Sequence, residues 1–219
     1  MLKALIFDLD GTLCDSLPLC IEAFRRACGT FLDKPLNDKE ILATFGPSDE
    51  GTIKLLAKDH YDEAFALFLQ YYRELHPALC PKPFDGIAAL IEDLKCRGLR
   101  IGLVTGKGRK SLDITLDELH IRYLFDAFEA GSPLGPNKPN CLRSILQTFN
   151  LLPAEAVYIG DMASDILACR QVPMPVWSAA WAATADAEKL KAHQPDKIFY
   201  SVQELRSELQ TYGRPESGN

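Results

Sequence analysis

Phe7-Asp8-Leu9-Asp10-Gly11-Thr12-Leu13 closes an apolar run that begins at Lys3. The run has strand length. Its composition is near-continuously apolar, as expected of a strand buried on both faces. It ends in two carboxylates that can both project into one crevice, and in open α/β sheets ligands bind at that end of a strand. An Asp-Gly pair after a strand is also an ordinary turn, because glycine tolerates positive φ. The stretch acquires chemical meaning only if other strand ends carry groups that act with it.

Working outward, short apolar runs recur at Arg100–Thr105 and Ala156–Gly160, with weaker ones at Ala127–Ala130, Pro175–Trp177 and Lys197–Phe199. Between them, Ile87, Leu90, Ile91 and Leu94 stand at helical spacing, as do Leu112, Leu116 and Leu119, and Leu142, Ile145, Leu146 and Phe149. Strand–helix alternation of this kind predicts an α/β fold: a Rossmann-like parallel sheet covered on both faces. From Asp15 to Pro81 the rhythm breaks. That stretch offers no strand pattern but helical ones, with Leu17, Ile21, Phe24 and Cys28 on one face and further helices over Asp38–Thr44, Asp49–Lys58 and Tyr61–Leu75. The proline-dense segment Pro77–Pro83 reads as a connector. The expected organisation is therefore a core of residues 1–14 and 82–219, with a helical cap of residues 15–81 inserted after the first strand. Thr211–Asn219 reads as a polar, frayed tail.

Composition narrows the function. Of 219 residues, 47% are hydrophobic and 25% charged, which suits a packed globular chain. The net charge of −6 argues against nucleic acid or an anionic membrane as partner. No apolar run approaches the roughly 20 residues that span a bilayer, and the apolar start is broken at Asp8, against a signal peptide. Seven scattered cysteines without a C-x-x-C pair argue against a zinc ribbon or a disulfide framework. The expectation is a reduced, cytoplasmic protein, monomer or homodimer, whose metal is held by oxygen.

Gly160-Asp161-Met162-Ala163-Ser164-Asp165 places two more acids after a second apolar strand. Four carboxylates at neighbouring strand ends repel one another unless a cation holds them, and hard oxygen ligands suit Mg²⁺. Taken singly, Asp161 is a strand-end turn residue and Asp165 a helix first-turn acid favoured by the dipole. Thr105-Gly106 closes another strand, where a hydroxyl and an unhindered backbone N–H can grip a phosphate oxygen. Lys138, in Pro136-Asn137-Lys138-Pro139, opens an amphipathic helix; a lysine there opposes the dipole unless an anion is bound beside it.

In this order the four pieces resemble the haloacid dehalogenase superfamily, whose members are mostly Mg²⁺-dependent phosphatases. The resemblance spans the whole chain, with the helical insert lying between the first and second motifs, as in members with a small helical cap. It implies that Asp8 is the nucleophile and Asp10 the general acid/base. It implies that Thr105, Gly106 and Lys138 bind the transferred phosphoryl group, and that Asp8, the backbone carbonyl of Asp10, Asp161 and Asp165 serve Mg²⁺. Two positions depart from the family's pattern: Gly106 stands where Asn is frequent, and Lys138-Pro139-Asn140-Cys141 replaces Lys-Pro-x-Pro. Neither change removes a charged or nucleophilic group.

The resemblance also assigns substrate choice to the cap loop Phe45-Gly46-Pro47-Ser48-Asp49-Glu50, whose Asp49 and Glu50 are expected either to face the leaving group or simply to begin the next helix. Sugar-phosphate mutases of this type carry Lys and Arg where Phe45 and Asp49 stand here, so a mutase is not expected. A phosphonatase would need a cap lysine, for which Lys54 and Lys58 are the nearby candidates. A dehalogenase would not need Asp10. The chain looks most like the phosphoglycolate phosphatase group, with a pyrophosphatase as the next reading and a non-catalytic phosphate-binding domain as the alternative of a different class. The expected ligand is a small phosphorylated metabolite.

Overall fold

The computed structural model describes residues 1–32, 34–210 and 212. β1 (Ala4–Phe7) leads into four helices, α1 (Leu17–Gly29), α2 (Asp38–Leu42), α3 (Asp49–Leu56) and α4 (Tyr61–Leu79). The chain then alternates: α5 (Ile87–Cys96), β2 (Arg100–Val104), α6 (Arg109–Glu118), β3 (Ala127–Glu129), α7 (Lys138–Phe149), β4 (Ala156–Gly160), α8 (Ala163–Arg170), β5 (Val176–Ala179), α9 (Ala187–Ala192), β6 (Lys197–Phe199) and α10 (Val202–Leu209). All six strands are parallel, in the order β3-β2-β1-β4-β5-β6.

That order creates the site. The chain lays β2 and β3 to one side of β1, then crosses back to lay β4, β5 and β6 on the other. The reversal falls between β1 and β4, where Phe7 is paired with Ile159. Asp8 and Asp161 thus emerge beside each other at the crevice a doubly wound sheet opens for ligands.

Alternation along β1 builds both sides of the core. Leu5 and Phe7 pack with α5, α6 and α10, whereas Ala4 and Ile6 pack with α7, α8 and α9. Both faces are covered, which is why every residue of β1 is fully buried.

The helical insert shares the first of these cores. Phe24 of α1 stacks on Phe68 of α4 with ring centroids 4.4 Å apart, and Phe68 meets Tyr72 at 5.5 Å. Ala23, Ala27, Ile41, Ile53 and Ala64 fill in around these rings. Among the described residues of the insert there is no strand.

Two expectations change. The Pro77–Pro83 segment is not wholly a connector, because α4 runs through Pro77 to Leu79. Proline removes from the helix only the N–H that would meet the Arg73 carbonyl, and the ladder resumes after it, with the Cys80 N–H closing onto the His76 carbonyl. At the C-terminus, Tyr212 packs edge-on against Trp177, and its carbonyl accepts from Arg97. The rest of the expected frayed tail, Thr211 and residues 213–219, lies outside the described residues. No helix among the described residues is long and apolar enough to cross a membrane.

Phe68 carries the insert's packing, since its ring is fully buried between two aromatic neighbours. Phe68→Ala is expected to cost about 3–5 kcal/mol, the usual range for removing a buried ring. Urea unfolding of the variant checks this; a loss below about 1 kcal/mol would show that the insert can collapse around the gap.

Candidate active site

Asp8, Asp161 and Asp165 present carboxylate oxygens that all lie within 4.8 Å of one another. Each is placed by a different local rule. Asp8 follows the last paired residue of β1 and turns one oxygen back onto the Leu9 N–H, 2.8 Å away. Asp161 follows β4 and accepts from the Thr12 hydroxyl at 3.5 Å. Asp165 sits in the first turn of α8, where its Oδ2 accepts from the Met162 N–H at 2.9 Å. Its Oδ1 turns inward, so it serves both as helix-terminus acid and as member of the cluster.

Gly11 makes this convergence possible. Its φ is +76°, and a Cβ there would stand 2.1 Å from an Asp161 oxygen. Any side chain would expel that carboxylate, so the turn after β1 requires glycine for space as well as for backbone conformation.

Lys138, the first residue of α7, answers the negative charge. Its Nζ donates to Asp8 at 2.8 Å and to Asp165 at 2.5 Å, and it stands 5.4 Å from the centroid of the Tyr158 ring. Tyr158 is itself fixed by donating its hydroxyl proton to the Val104 carbonyl at 3.2 Å. The lysine that opposed the helix dipole in sequence therefore has its anions.

Three carboxylates against one ammonium leave negative charge in a buried space. Desolvation pushes the Asp8 carboxyl up to about 7, with Lys138 pulling the other way and Asp165 adding to the rise. Burial likewise pushes Asp161 up to about 8, reinforced by the Asp8 and Asp165 charges. Burial disfavours the charge on Lys138, yet Asp165 and Asp8 outweigh it and hold the ammonium well above its ordinary pKa. A hard cation with oxygen preference would remove the surplus, and the donor set, carboxylate oxygens without histidine or thiolate, fits such an ion.

Asp10 lies apart from this cluster. Its carboxylate Oδ1 accepts from the Ser16 hydroxyl and stands 3.3 Å from the ammonium of Lys107. Of the four expected carboxylates, then, three converge and the fourth faces the helical insert.

Thr105 is buried at the end of β2, and its hydroxyl oxygen accepts from the Lys107 N–H at 3.1 Å. An oxygen accepting in this way keeps its own proton for donation. Gly106 is exposed at the mouth of the same turn, and its carbonyl is approached so closely by Gly131 that a Cβ on Gly131 would lie 1.9 Å away. The Gly131 N–H bonds to the Lys107 carbonyl at 2.7 Å, locking the loop before α7 onto the turn after β2.

The loop of the insert follows the second of its two expected arrangements and adds contacts to the core. Asp49 does not face open space: it accepts from the Gly108 N–H at 2.8 Å and from the Ser111 hydroxyl. Its carboxyl is raised by burial, against the lowering influence of Lys107 and of its two donors. Glu50 accepts from the Ser48 hydroxyl at 2.6 Å, and the Ser48 N–H donates to the Ser132 carbonyl at 2.8 Å. Both acids begin α3, and Asp49 ties that helix to the first turn of α6. Lys54 and Lys58, the alternative cap lysines, belong to the insert's outer layer, with Lys54 5.1 Å from the Tyr61 ring.

Lys107 has no signature in the sequence that marks it as a site residue. Its side chain is 1% exposed, and its Nζ is 3.0 Å from the Cys20 sulfur and 4.8 Å from the Tyr72 ring centroid, besides Asp10. The one available signal is its place two residues after Thr105, in the same strand-end turn. Trp181, whose indole N–H donates to the Thr12 carbonyl at 3.1 Å, and Ser16 are equally unmarked in sequence.

Residues 5–179 match the family model for haloacid dehalogenase-like hydrolases. The phosphoglycolate phosphatase of Synechococcus elongatus is 28% identical over 207 residues, 93% of this chain and 95% of that protein. The pyrophosphatase PpaX of Bacillus cereus is 24% identical over 206 residues, 93% of this chain and 94% of that one. Among solved structures, a haloacid dehalogenase-like hydrolase of Streptococcus pneumoniae superposes with a TM-score of 0.77 at 28% identity, covering 95% of this chain and 99% of that chain. A structure described as a predicted phosphoglycolate phosphatase from Haemophilus somnus shares the fold, with a TM-score of 0.79 at 22% identity over 95% and 98% of the two chains. The match over residues 5–179 takes in β1 through β5 and every residue of the acidic cluster, so the chain belongs to the haloacid dehalogenase-like hydrolase family.

Proposed function

We propose that the chain is a Mg²⁺-dependent phosphatase that hydrolyses a small phosphomonoester through an aspartyl-phosphate on Asp8. In this reading residues 1–14 and 82–219 form the catalytic core and residues 15–81 the cap. One observation carries it. Asp8 and Asp10 stand two residues apart, yet Asp8 joins Asp161, Asp165 and Lys138 while Asp10 turns to Ser16 and Lys107. Two carboxylates in separate surroundings suit two different tasks, attack and proton transfer.

Asp8, Asp161, Asp165 and the Asp10 carbonyl would hold the ion, which supplies positive charge against the repulsion between a carboxylate and a phosphate dianion. Asp8 attacks phosphorus, forming a carboxylate–phosphorus bond as the phosphorus–oxygen bond to the leaving group breaks. Lys138 turns its N–H groups from carboxylates to the phosphoryl oxygens, where charge develops. The Thr105 hydroxyl and the Gly106 amide support the same oxygens. Asp10 gives its proton to the departing alkoxide. It then takes a proton from the water that attacks phosphorus, which releases inorganic phosphate and restores Asp8. The helical insert excludes other water while this occurs.

The relatives named phosphoglycolate phosphatase and pyrophosphatase divide the substrate question. With no Lys or Arg among Phe45–Glu50, the loop offers no cation for a second phosphate. A small monoester is therefore the favoured substrate, and side-by-side assay of phosphoglycolate and pyrophosphate decides between them.

Asp8→Asn is expected to abolish turnover of every substrate. Asp10→Asn should slow alkyl phosphates by about 10²-fold or more but aryl phosphates far less, because a good leaving group needs no proton. Steady-state kinetics on matched alkyl and aryl esters check the split, and equal losses on both would remove Asp10 from the acid's role.

The raised carboxyls give the metal a pH signature. Asp8 and Asp161 hold protons in the metal-free fold up to about 7 and about 8, against 3.8 for an ordinary Asp. The folded state thus binds protons that the unfolded chain releases, so metal-free stability falls as pH rises from about 4 through about 8. Mg²⁺ competes with those protons, and its stabilising effect should grow over the same window. Thermal melts with and without Mg²⁺ at pH 6 and pH 8.5 test this; a shift independent of pH would place the ion elsewhere. Chelator should abolish turnover, and Ca²⁺ should not restore it, since its looser coordination misplaces the nucleophile.

A further inference from the structure

Lys107 is a buried lysine in the turn between β2 and α6, and burying an ammonium costs several kcal/mol unless it is well partnered. Its partners come from three different elements. Asp10 is in the turn after β1, Cys20 on α1 and Tyr72 on α4, at 3.3 Å, 3.0 Å and 4.8 Å from the ring centroid respectively. Tyr72 is pinned in turn, its hydroxyl 2.8 Å from the Thr115 hydroxyl on α6. The lysine backbone is held as well, its N–H on the Thr105 hydroxyl and its carbonyl on the Gly131 N–H. The ammonium therefore sits where the core and the helical insert jointly put it.

The Asp10 carboxylate is held by the same arrangement. Its Oδ1 meets both the Ser16 hydroxyl, just before α1, and the Lys107 ammonium. With Oδ1 held from two sides, Oδ2 is the oxygen without either of these contacts and so the one left to carry a proton, and the Asp10 side chain is still 31% exposed. Lys107 itself, at 1% exposure, is enclosed too well to meet a substrate.

We propose that Lys107 is a positioning residue for Asp10, and that Cys20 and Tyr72 make this positioning depend on the insert being packed against the core. The inference rests on Asp10 being the proton donor. Lys107 neither donates a proton nor binds the phosphoryl group; it fixes the rotamer in which Asp10 reaches the leaving oxygen. Because a misplacement of about 1 Å can cost about 10²-fold, an ammonium that only orients can still have a large effect on rate.

The test uses the full chain saturated with Mg²⁺ and a matched pair of substrates, an alkyl and an aryl phosphomonoester. Lys107→Met should lower kcat for the alkyl ester by about 10- to 100-fold with little change in KM, and should affect the aryl ester much less. Lys107→Arg, which keeps the charge near Oδ1, should recover part of the alkyl rate. In an Asp10→Asn background, Lys107→Met should add less than about threefold, since the group it orients is already gone. Equal losses on both esters, or a full loss in the Asp10→Asn background, would overturn the proposal and leave Lys107 as a structural residue. If Asp10→Asn alone fails to separate alkyl from aryl esters, the fault lies instead with Asp10 as proton donor. Where Lys107→Met does not fold, Cys20→Ala removes one contact of the ammonium at small cost in volume. A smaller loss confined to the alkyl ester then supports positioning, and a loss shared by both esters refutes it.

Discussion

Like charge in a small buried volume is the constraint on which this molecule is organised. Three carboxylates lie within 4.8 Å of one another, and Lys138 reaches only two of them. Such a cluster exists only if the backbone forces it. The force comes from sheet order: β1 and β4 are neighbours because the chain reverses between them, and each is followed directly by an Asp. α8 then adds Asp165 from its first turn, and α7 adds Lys138 from its first residue. Helix and strand ends, where backbone groups are unsatisfied, supply each chemical group of the cluster. The apolar alternation that makes β1 a central strand is thus also what assembles the acids.

A second set of polar groups ties the helical insert to this frame. Asp49 on Gly108 and Ser111, Ser48 on Ser132, and Tyr72 on Thr115 each bridge the insert and the core. A buried carboxylate without such partners would be costly, and its partners here are two donors at the first turn of α6, where the helix dipole also favours negative charge. Groups of this kind are readily taken over by water when two surfaces part. The aromatic pair Phe24 and Phe68 lies within the insert, but the apolar cluster it belongs to continues into the core around Phe7, Leu103 and Leu112. Apolar and polar contacts together therefore set where the insert sits on the core.

Much of this could be read from the sequence. Parallel strands covered on both faces leave continuous apolar runs, so β1, β2 and β4 stand out, and acids at their ends mark the crevice. Lys138 could be found because a lysine at a helix start is an electrostatic anomaly. What could not be read depends on tertiary packing. Pro77 looks like a break, but nothing local shows that α4 continues through it to Leu79 and closes with the Cys80 N–H on the His76 carbonyl. Asp49 looks like a first-turn acid at the surface, and only the approach of α6 makes it a bridge. Lys107 looks like any lysine in a basic turn, since the residues that bury it, Cys20 and Tyr72, are distant in sequence. The chemistry visible in the sequence is that placed by strand ends; the chemistry hidden is that placed by contacts between layers.

This division bears on substrate choice. The groups on the core side have their geometry fixed by the strands and by Lys138, and in the proposed reaction they would meet the phosphoryl group alone. In that reading, discrimination between substrates would fall to the insert. Yet the two acids in its loop are already satisfied within the protein, Asp49 by α6 and Glu50 by Ser48. What the loop has left is apolar or neutral: Phe45, Gly46 and Pro47, with Phe45 partly exposed. A leaving group with a second strong charge would find no counter-charge on that loop, and the buried ammonium of Lys107 is already paired with Asp10. Under the proposed reaction, selectivity would then rest on neutral contacts from Phe45, Gly46 and Pro47 and on the alignment of Asp10, rather than on a charged clamp.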